Sequence, residues 1–402
     1  MQTTENTTYI NREISWLSFN ERVLQEAADI NVPLIDRIRF LGIFSNNLDE
    51  FFRVRVSSVR RMKGMGKKAK NQLQAKPKEL LNQINTRVKE LQEKFGEIYA
   101  EIRTALEDEN IYIIDEKELN PTQAKEVVKY YKQNVRPQLT PIILDYIEKI
   151  PTLGESSIHL AIEMINHNDK LMRALVEIPD SINRFFVLPE EEGKNFIILL
   201  DDIIRYNLGD IFKNFDFKKA NAYTIKVTLD AELDIDNDIS KSLIEKISKS
   251  IESRKKGDPI RFIYDAKMNE DLLNYLLKKM DLTLNESNIG GARYHNFKDF
   301  MAFPTLNKKH LSYTPIKELK SMPFDNANSI FSALKKQDVL LHYPYHRFSY
   351  VTDFLREAAM SPHVTTIKMT LYRVANNSIV AKALINAAKN GKKVIAVVEV
   401  RA

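Results

Sequence analysis

The sequence predicts a multidomain chain: a helical domain over residues 1–107, an α+β domain over 108–318, and an incomplete α/β domain over 319–402. Three observations carry that division. Up to about residue 107, apolar residues recur at helical spacing with hardly an extended run between them. From 108 onward, short β-branched runs alternate with helical patterns. After 319 strands and helices alternate regularly, as in parallel sheets with right-handed crossovers. A chain of 402 residues is also too long for one ordinary core.

The first domain opens with a stripe over Ser15–Ala28: Trp16, Leu17, Phe19, Val23, Leu24 and Ala27. Asn31-Val32-Pro33 ends it, and Pro33 suits the first turn of the next helix. Leu34, Ile35, Ile38, Leu41 and Ile43 continue the helical spacing up to the polar cluster Ser45, Asn46 and Asn47. There Asn47-x-x-Glu50 reads as the N-cap of a new helix with a reciprocal acid. A cap at Asn47 would set carboxamides beside free backbone N–H groups, which suits a phosphate-bearing ligand as well as a purely structural role. Gly64 and Gly66 mark a Lys-rich loop. Pro77 starts a long helix through Leu106, with Leu80, Leu81, Ile84, Val88, Leu91, Phe95, Ile98 and Ile102 on one side.

In the second domain the predicted strands are Ile111–Ile114, Ser157–Ile165, Leu171–Ile178, Phe185–Leu188, Ala222–Leu229 and Ile260–Tyr264. Helices are predicted over Thr122–Asn134, Asp201–Lys213 and Ile239–Ser253, with a turn at Lys255–Pro259. The third domain reads as strand Asp338–Tyr343, helix Tyr350–Ala359, strand Val364–Val374, helix Ser378–Asn390 closed by Gly391, and strand Lys392–Val400. Three strands leave an exposed sheet edge, and ligands of such sheets sit at the C-terminal strand ends. The expectation is therefore that this chain is the N-terminal part of a longer protein.

An apolar share of 44% and a charged share of 28% are those of a soluble globular protein. A net charge of +6 favours anionic partners in general and does not by itself imply nucleic acid. The absence of cysteine excludes disulfides, thiol nucleophiles and thiolate metal sites. No signal segment and no membrane-length apolar run is visible, so a cytoplasmic setting is expected, with at most peripheral membrane contact.

No phosphate-binding GxxxxGK[ST] loop and no HExxH occurs, and the seven histidines show no zinc spacing. Three segments invite a functional reading. After Glu50 the charge turns basic, with Arg53, Arg55, Arg60 and Arg61 as candidate polyanion contacts, or else a solvated basic face. Gly290-Gly291 precedes Arg293, Tyr294, His295, Asn296 and Lys298, which reads as a ligand loop or as a tight turn. Lys368, Thr370 and Tyr372 alternate along one strand face, and Arg373 near its end can grip a phosphate in a bidentate way or form a salt bridge.

The segments YINREISWLSFNERVLQEA, PLIDRIRFLGIFSNNLDEFFRVRV, GGARYHNFKDF, LLHYPYHRF and IKMTLYRVA…NGKKV closely resemble the polyphosphate kinase family of the first type, collinearly over nearly the whole chain. The resemblance implies reversible transfer of the ATP terminal phosphate to polyphosphate through a phosphohistidine, with Mg²⁺ as cofactor and ATP/ADP and polyphosphate as partners. It also implies a helical N-terminal domain, a head domain through which the protein forms homo-oligomers, and phospholipase-D-like C-terminal domains. By motif, Asn47 resembles the family's ATP-contacting asparagine. Arg373 resembles the arginine beside the Mg²⁺–phosphate group; an arginine cannot ligate a cation, so its expected role is to bind the phosphate oxygens. None of the seven histidines sits in the family's phosphohistidine motif, which is expected beyond Ala402. The chain is accordingly expected to be inactive by itself. The alternatives are a non-catalytic module binding polyanions or nucleic acid, which the lack of an RNA-binding motif disfavours, and a phospholipase-D-like hydrolase, which the N-terminal resemblance disfavours.

Overall fold

A computed structural model describes residues 9–62, 73, 75–151, 153, 157–229, 259–282, 288–375 and 377–399. The chain divides into two compact units, Met1–Tyr313 and Thr314–Ala402. Helices and sheets make up both, so the architecture is mixed helical and α/β.

The first unit begins with α1 (Arg12–Ala28), whose cap Asn11 accepts from the Glu13 backbone N–H, and α2 (Leu34–Glu50), which follows Pro33. Helix α2 does not stop at the polar cluster. It runs on to Glu50, widens into a π-helical turn over Phe51–Val56 and resumes as α3 (Ser57–Arg61). The N-cap expected at Asn47 is therefore absent; Asn47 is mid-helix, and its carbonyl accepts from the Phe51 N–H. Packing overrides the local capping pattern. Leu41, Phe44, Leu48, Phe51 and Phe52 are all buried and carry the apolar stripe across the cluster, and no glycine or proline interrupts residues 43–60. Helix α4 (Pro77–Asp108) lays Leu80, Ile84, Val88, Leu91, Ile102 and Leu106 into the core it shares with α1 and α2.

Next come β1 (Ile111–Ile114), α5 (Pro121–Tyr130), β2 (Ile142–Ile143), β3 (Ile158–Asn166), β4 (Leu171–Glu177), β5 (Phe185–Val187) and β6 (Asn195–Leu199). A reciprocal capping box between Asn120 and Gln123 opens α5. The unit continues through α6 (Leu200–Tyr206), α7 (Leu208–Ile211), β7 (Phe217–Leu229), β8 (Pro259–Asp265), α8 (Glu270–Lys279) and β9 (Asn288–Gly291). One sheet has the order β2-β4-β3-β7-β8-β9, antiparallel except for β8–β9, and β1-β6-β5 forms another. The helix predicted over Asp201–Lys213 is two short helices, α6 and α7, followed by a 3₁₀ turn. The Gly64–Gly66 loop, the helix predicted at Ile239–Ser253 and most of the turn before Pro259 lie outside the described residues.

The second unit comprises α9 (Met322–Asp325), α10 (Ile330–Leu334), α11 (Ser349–Met360), β10 (Thr366–Leu371), α12 (Ile379–Lys389) and β11 (Lys393–Val398). Strands β10 and β11 pair in parallel, and the α12 crossover between them is capped by Ser378 and closed at Gly391, whose φ is +79°. Asp338–Tyr343, predicted as a strand, is not one. Val339 and Leu341 pack against the cluster of Phe324, Ile330 and Tyr350, while Leu340 points to solvent. Side-chain packing there replaces ladder pairing, so among the described residues this sheet has two strands and not three.

Candidate functional site

A cavity of about 880 Å³ opens in the first unit between α2, α4 and the β7–β8–β9 side of the larger sheet. Phe44 and Leu48 of α2, Phe95 and Tyr99 of α4, and Phe297 make an apolar wall. Phe95 and Tyr99 meet the Phe297 ring edge to face, at 4.8 and 5.2 Å. Asn85 and Gln92 add carboxamides, and Lys226 and Arg261 form the charged floor.

The floor follows from strand geometry. Along β7, Ile225 and Val227 enter the apolar cluster shared with α8, whereas Thr224, Lys226 and Thr228 point to the opposite face. That polar face is no more than 1% exposed. Lys226 Nζ donates to Asp49 of α2 and, at 2.9 Å, to Asn296 Oδ1. Arg261 lies directly opposite Thr228 on β8, so it shares this face. Its guanidinium stacks 4.3 Å over the Phe52 ring, which the π-helical turn turns inward. Arg261 Nη1 comes no closer than 3.9 Å to Asp49 Oδ1, and its Nε and Nη2 are buried without a hydrogen-bond partner. Two buried cations thus face one carboxylate. Burial pulls the Lys226 ammonium down against the opposing pull of Asp49, and likewise lowers the Arg261 guanidinium to about 10.

The Gly290–Phe300 segment lines the cavity and also clamps the unit together. A Cβ at Gly291 would stand 3.0 Å from His295 Cε1 and 3.3 Å from Ile263 Cγ2, so the buried His295 ring would have to give by a few tenths of an ångström to admit it. Arg293 donates to Glu116 and, at 2.7 Å, to Asp202; the Tyr294 hydroxyl donates to the other Asp202 oxygen at 2.6 Å. Burial and then the Asp202 carboxylate push the Tyr294 phenol far above its usual range. His295 meets the Thr224 carbonyl through Nε2 at 3.2 Å, which makes Nε2–H the donor, and burial holds its pKa at about 3. Asn296 takes a left-handed φ of 65°, which asparagine tolerates, and donates to Asp299. Arg184 then ties Asp299 to Asp201.

Of the residues singled out in the sequence, Asn47 is half-buried beside this cavity but does not line it; Ser45, Leu48 and Asp49 do. Asn47 Nδ2 donates to Asn20 Oδ1 at 3.1 Å, and the fully buried Asn20 donates to the Phe44 carbonyl. Arg53 pairs with Glu50, and Arg55 reaches buried Glu13 at 3.2 Å. Burial lowers the Arg60 pKa, and Arg61 is exposed. Arg373 stands in the second unit, exposed two residues past β10, on which Lys368 and Thr370 face solvent while Ile367 is buried. Asp49, Lys226 and Arg261 were missed as site residues. The signal for them is the Thr-x-Lys-x-Thr alternation of β7, in which a lysine sits mid-strand in a run otherwise suited to burial. Among the described residues no group of three or more His, Asp or Glu is placed to hold a metal ion, and no helix is long and apolar enough to cross a membrane.

Comparison with known proteins bears on the chain as a whole. Family models match residues 9–114 (polyphosphate kinase N-terminal domain), 122–303 (polyphosphate kinase middle domain) and 329–402 (polyphosphate kinase C-terminal domain 1). The chain is 43% identical over 400 residues to a polyphosphate kinase of Vibrio vulnificus, covering 98% of this chain and 57% of that protein. It is 41% identical over 401 residues to the polyphosphate kinase of Escherichia coli K12, covering 98% and 58%. The crystal structure of polyphosphate kinase from Porphyromonas gingivalis is similar with a TM-score of 0.74 and 31% identity, over 98% of this chain and 56% of that one. The chain thus spans little more than half the length of these relatives.

Proposed function

The chain belongs to the polyphosphate kinase family, and on that premise we propose that it supplies nucleotide and phosphate contacts to an enzyme that transfers the terminal phosphate of ATP reversibly onto polyphosphate. The observation that carries this reading is the run of three family domains, in order, along nearly the whole chain. Asn47 is the nucleotide contact. Its amide nitrogen is engaged by Asn20, which orients the carboxamide and leaves its oxygen to accept from a donor on the base. Arg373 grips phosphate oxygens in a bidentate manner, and Arg53, Arg55, Arg60 and Arg61 are weaker polyanion contacts. Phosphoryl transfer spreads negative charge over the transferring oxygens, so a placed cation contributes more than an acid or base would.

Mg²⁺ belongs to this reading as the companion of ATP. The described residues do not fit a protein-held Mg²⁺ site, because no cluster of three carboxylates or histidines is present among them and arginine only donates. None of the seven histidines of this chain sits in the family's phosphohistidine motif, so the proposed phosphoryl acceptor is not one of them. His159 and His295 are buried and held neutral, with pKa values near 4 and 3; His310 pairs with Glu109, and His346 Nδ1 accepts from the His342 N–H. The proposed organisation is a helical domain to residue 107, a head domain over 108–318 that mediates homo-oligomers, and a phospholipase-D-like domain from 319.

Two measurements test this. Incubated with ATP, Mg²⁺ and a polyphosphate primer, the 402-residue protein should form no acid-insoluble polyphosphate; synthesis would overturn the placement of the histidine. Calorimetric titration with ATP should show affinity at least about tenfold weaker in Arg373→Ala, since a charge-assisted contact is worth about 1.5–3 kcal/mol. Equal affinity would reject the role given to Arg373.

A further inference from the structure

We propose that the cavity between α2, α4 and β7–β9 is a phosphate-binding site in its own right, in which Lys226 and Arg261 take a multiply ionised phosphate chain. Charge is the first reason. Lys226 and Arg261 are both buried on the floor, and Asp49 is the carboxylate they share. At the rim, exposed Lys89 and Glu93 offset each other, so the interior keeps one positive charge in excess. Buried charge is expensive unless it is paired, and an anionic ligand is the partner this floor lacks.

Unmet hydrogen bonds are the second reason. Arg261 is 2% exposed, yet Nε and Nη2, two arms of its donor fork, find no acceptor. Thr228, directly across the strand pair, leaves its hydroxyl unmatched on the same face. Buried donors of a charged group are nearly always satisfied, so the orphan donors of Arg261, a residue that lines the cavity, point to a ligand with several acceptor oxygens. The Nε–Nη2 edge suits two oxygens of one phosphate. Asp49 cannot serve, because it stands 3.9 Å from the third arm and is already bonded to Lys226.

Size and surroundings agree. About 880 Å³ is within the range of small-molecule sites, roughly 300–1,000 Å³. The aromatic wall of Phe95, Tyr99 and Phe297 keeps the local dielectric low and strengthens any anion–cation contact. The choice of phosphate among oxyanions rests on the family reading; the anion site rests on the geometry alone. A free polyphosphate chain and the tail of a nucleotide present the same chemistry.

The test is calorimetric titration of the 402-residue protein with sodium tripolyphosphate and, separately, with AMP. Wild type should bind tripolyphosphate. Arg261→Gln should weaken binding by about tenfold or more, and Arg261→Lys by less. Because Arg261 is buried, a second variant guards against misfolding. Gly96 lines the cavity on α4, and a Cβ there would meet nothing within 4 Å, so Gly96→Trp should fold, melt like wild type and lose binding by occlusion. Lys125→Ala, at an exposed lysine outside the cavity lining, should bind tripolyphosphate as wild type does, so that a loss in Arg261→Gln reads the cavity and not the surface charge. AMP that displaces tripolyphosphate supports a nucleotide tail as the occupant; tripolyphosphate binding that AMP does not disturb supports a free chain. No binding by wild type, or wild-type binding by folded Arg261→Gln and Gly96→Trp, overturns the proposal.

Discussion

Replacing Asp49 by asparagine removes the carboxylate that two buried cations share while keeping an acceptor oxygen for Lys226. Breaking a buried pair by removing one partner costs about 3–5 kcal/mol. Lys226 has an escape, because it can shed its proton. Holding a lysine of ordinary pKa neutral at pH 7 costs about 1.4 kcal/mol for each of roughly 3.4 pH units, an upper bound of about 4.6 kcal/mol. The expected loss at pH 7 is therefore about 3–4.6 kcal/mol. The sign of the pH dependence follows. In the variant the folded-state pKa of Lys226 is depressed further, so the unfolded chain binds more protons and stability rises with pH up to the unfolded value. The deficit should narrow by up to about 1.4 kcal/mol per unit between pH 7 and 9. Trp16, the single tryptophan, stacks 4.5 Å from Phe51 in the core of the first unit, so its fluorescence in a urea titration reports that unit. Asp49→Asn combined with Lys226→Met should recover part of the loss. A deficit under about 1 kcal/mol, or one indifferent to pH, would refute the reading of Lys226 and Asp49 as a buried, uncompensated-charge problem.

Two further outcomes are expected from the same titration. Gly42→Ala would place a Cβ 2.6 Å from the Met301 backbone nitrogen, where α2 crosses the Phe297–Ala302 turn, and should cost about 1–3 kcal/mol or more by overpacking; unchanged stability would show that the turn can retreat. Burial holds His159 at about 4, below its unfolded value, so the stability that its neutral form contributes is complete above about pH 6.5 and is lost as pH falls toward 4. His159→Gln should accordingly lessen the fall in stability between pH 7 and 5 by about 2 kcal/mol, and an unaltered acid slope would show that the ring is already hydrated.

Much of the fold is legible because burial imposes a period. Helix α4 lay open in its apolar spacing and in Pro77, and β3, β4 and β8 in their β-branched runs. Asn47 misled because a cap is written in local chemistry, whereas the continuity of α2 is decided by Phe44, Leu48 and Phe51 packing against distant residues. Asp338–Tyr343 misled for a related reason: strand-like composition does not supply a neighbouring strand. The cavity floor was the hardest to see. Lys226 and Arg261 are the single charges of the predicted strands Ala222–Leu229 and Ile260–Tyr264, and only the register that sets Arg261 across from Thr228, together with Asp49 brought in from α2, makes them one cluster. The Gly290–Phe300 motif was visible as unusual, but its double role needed Asp202, Thr224 and Asp299 to be placed around it.

Whether this chain handles ATP through Asn47 is decided most directly by calorimetric titration of the 402-residue protein with ATP, wild type beside Asn47→Ala. Losing the carboxamide removes one or two hydrogen bonds of about 0.5–1.5 kcal/mol each, so ATP affinity should fall about tenfold. The Trp16-reported stability should change by less than about 1 kcal/mol, because the bond to Asn20 is what Asn47 gives the fold. Asn47→Ala protein that binds ATP as tightly as wild type would contradict the assignment and leave Asn47 as a partner of Asn20 alone.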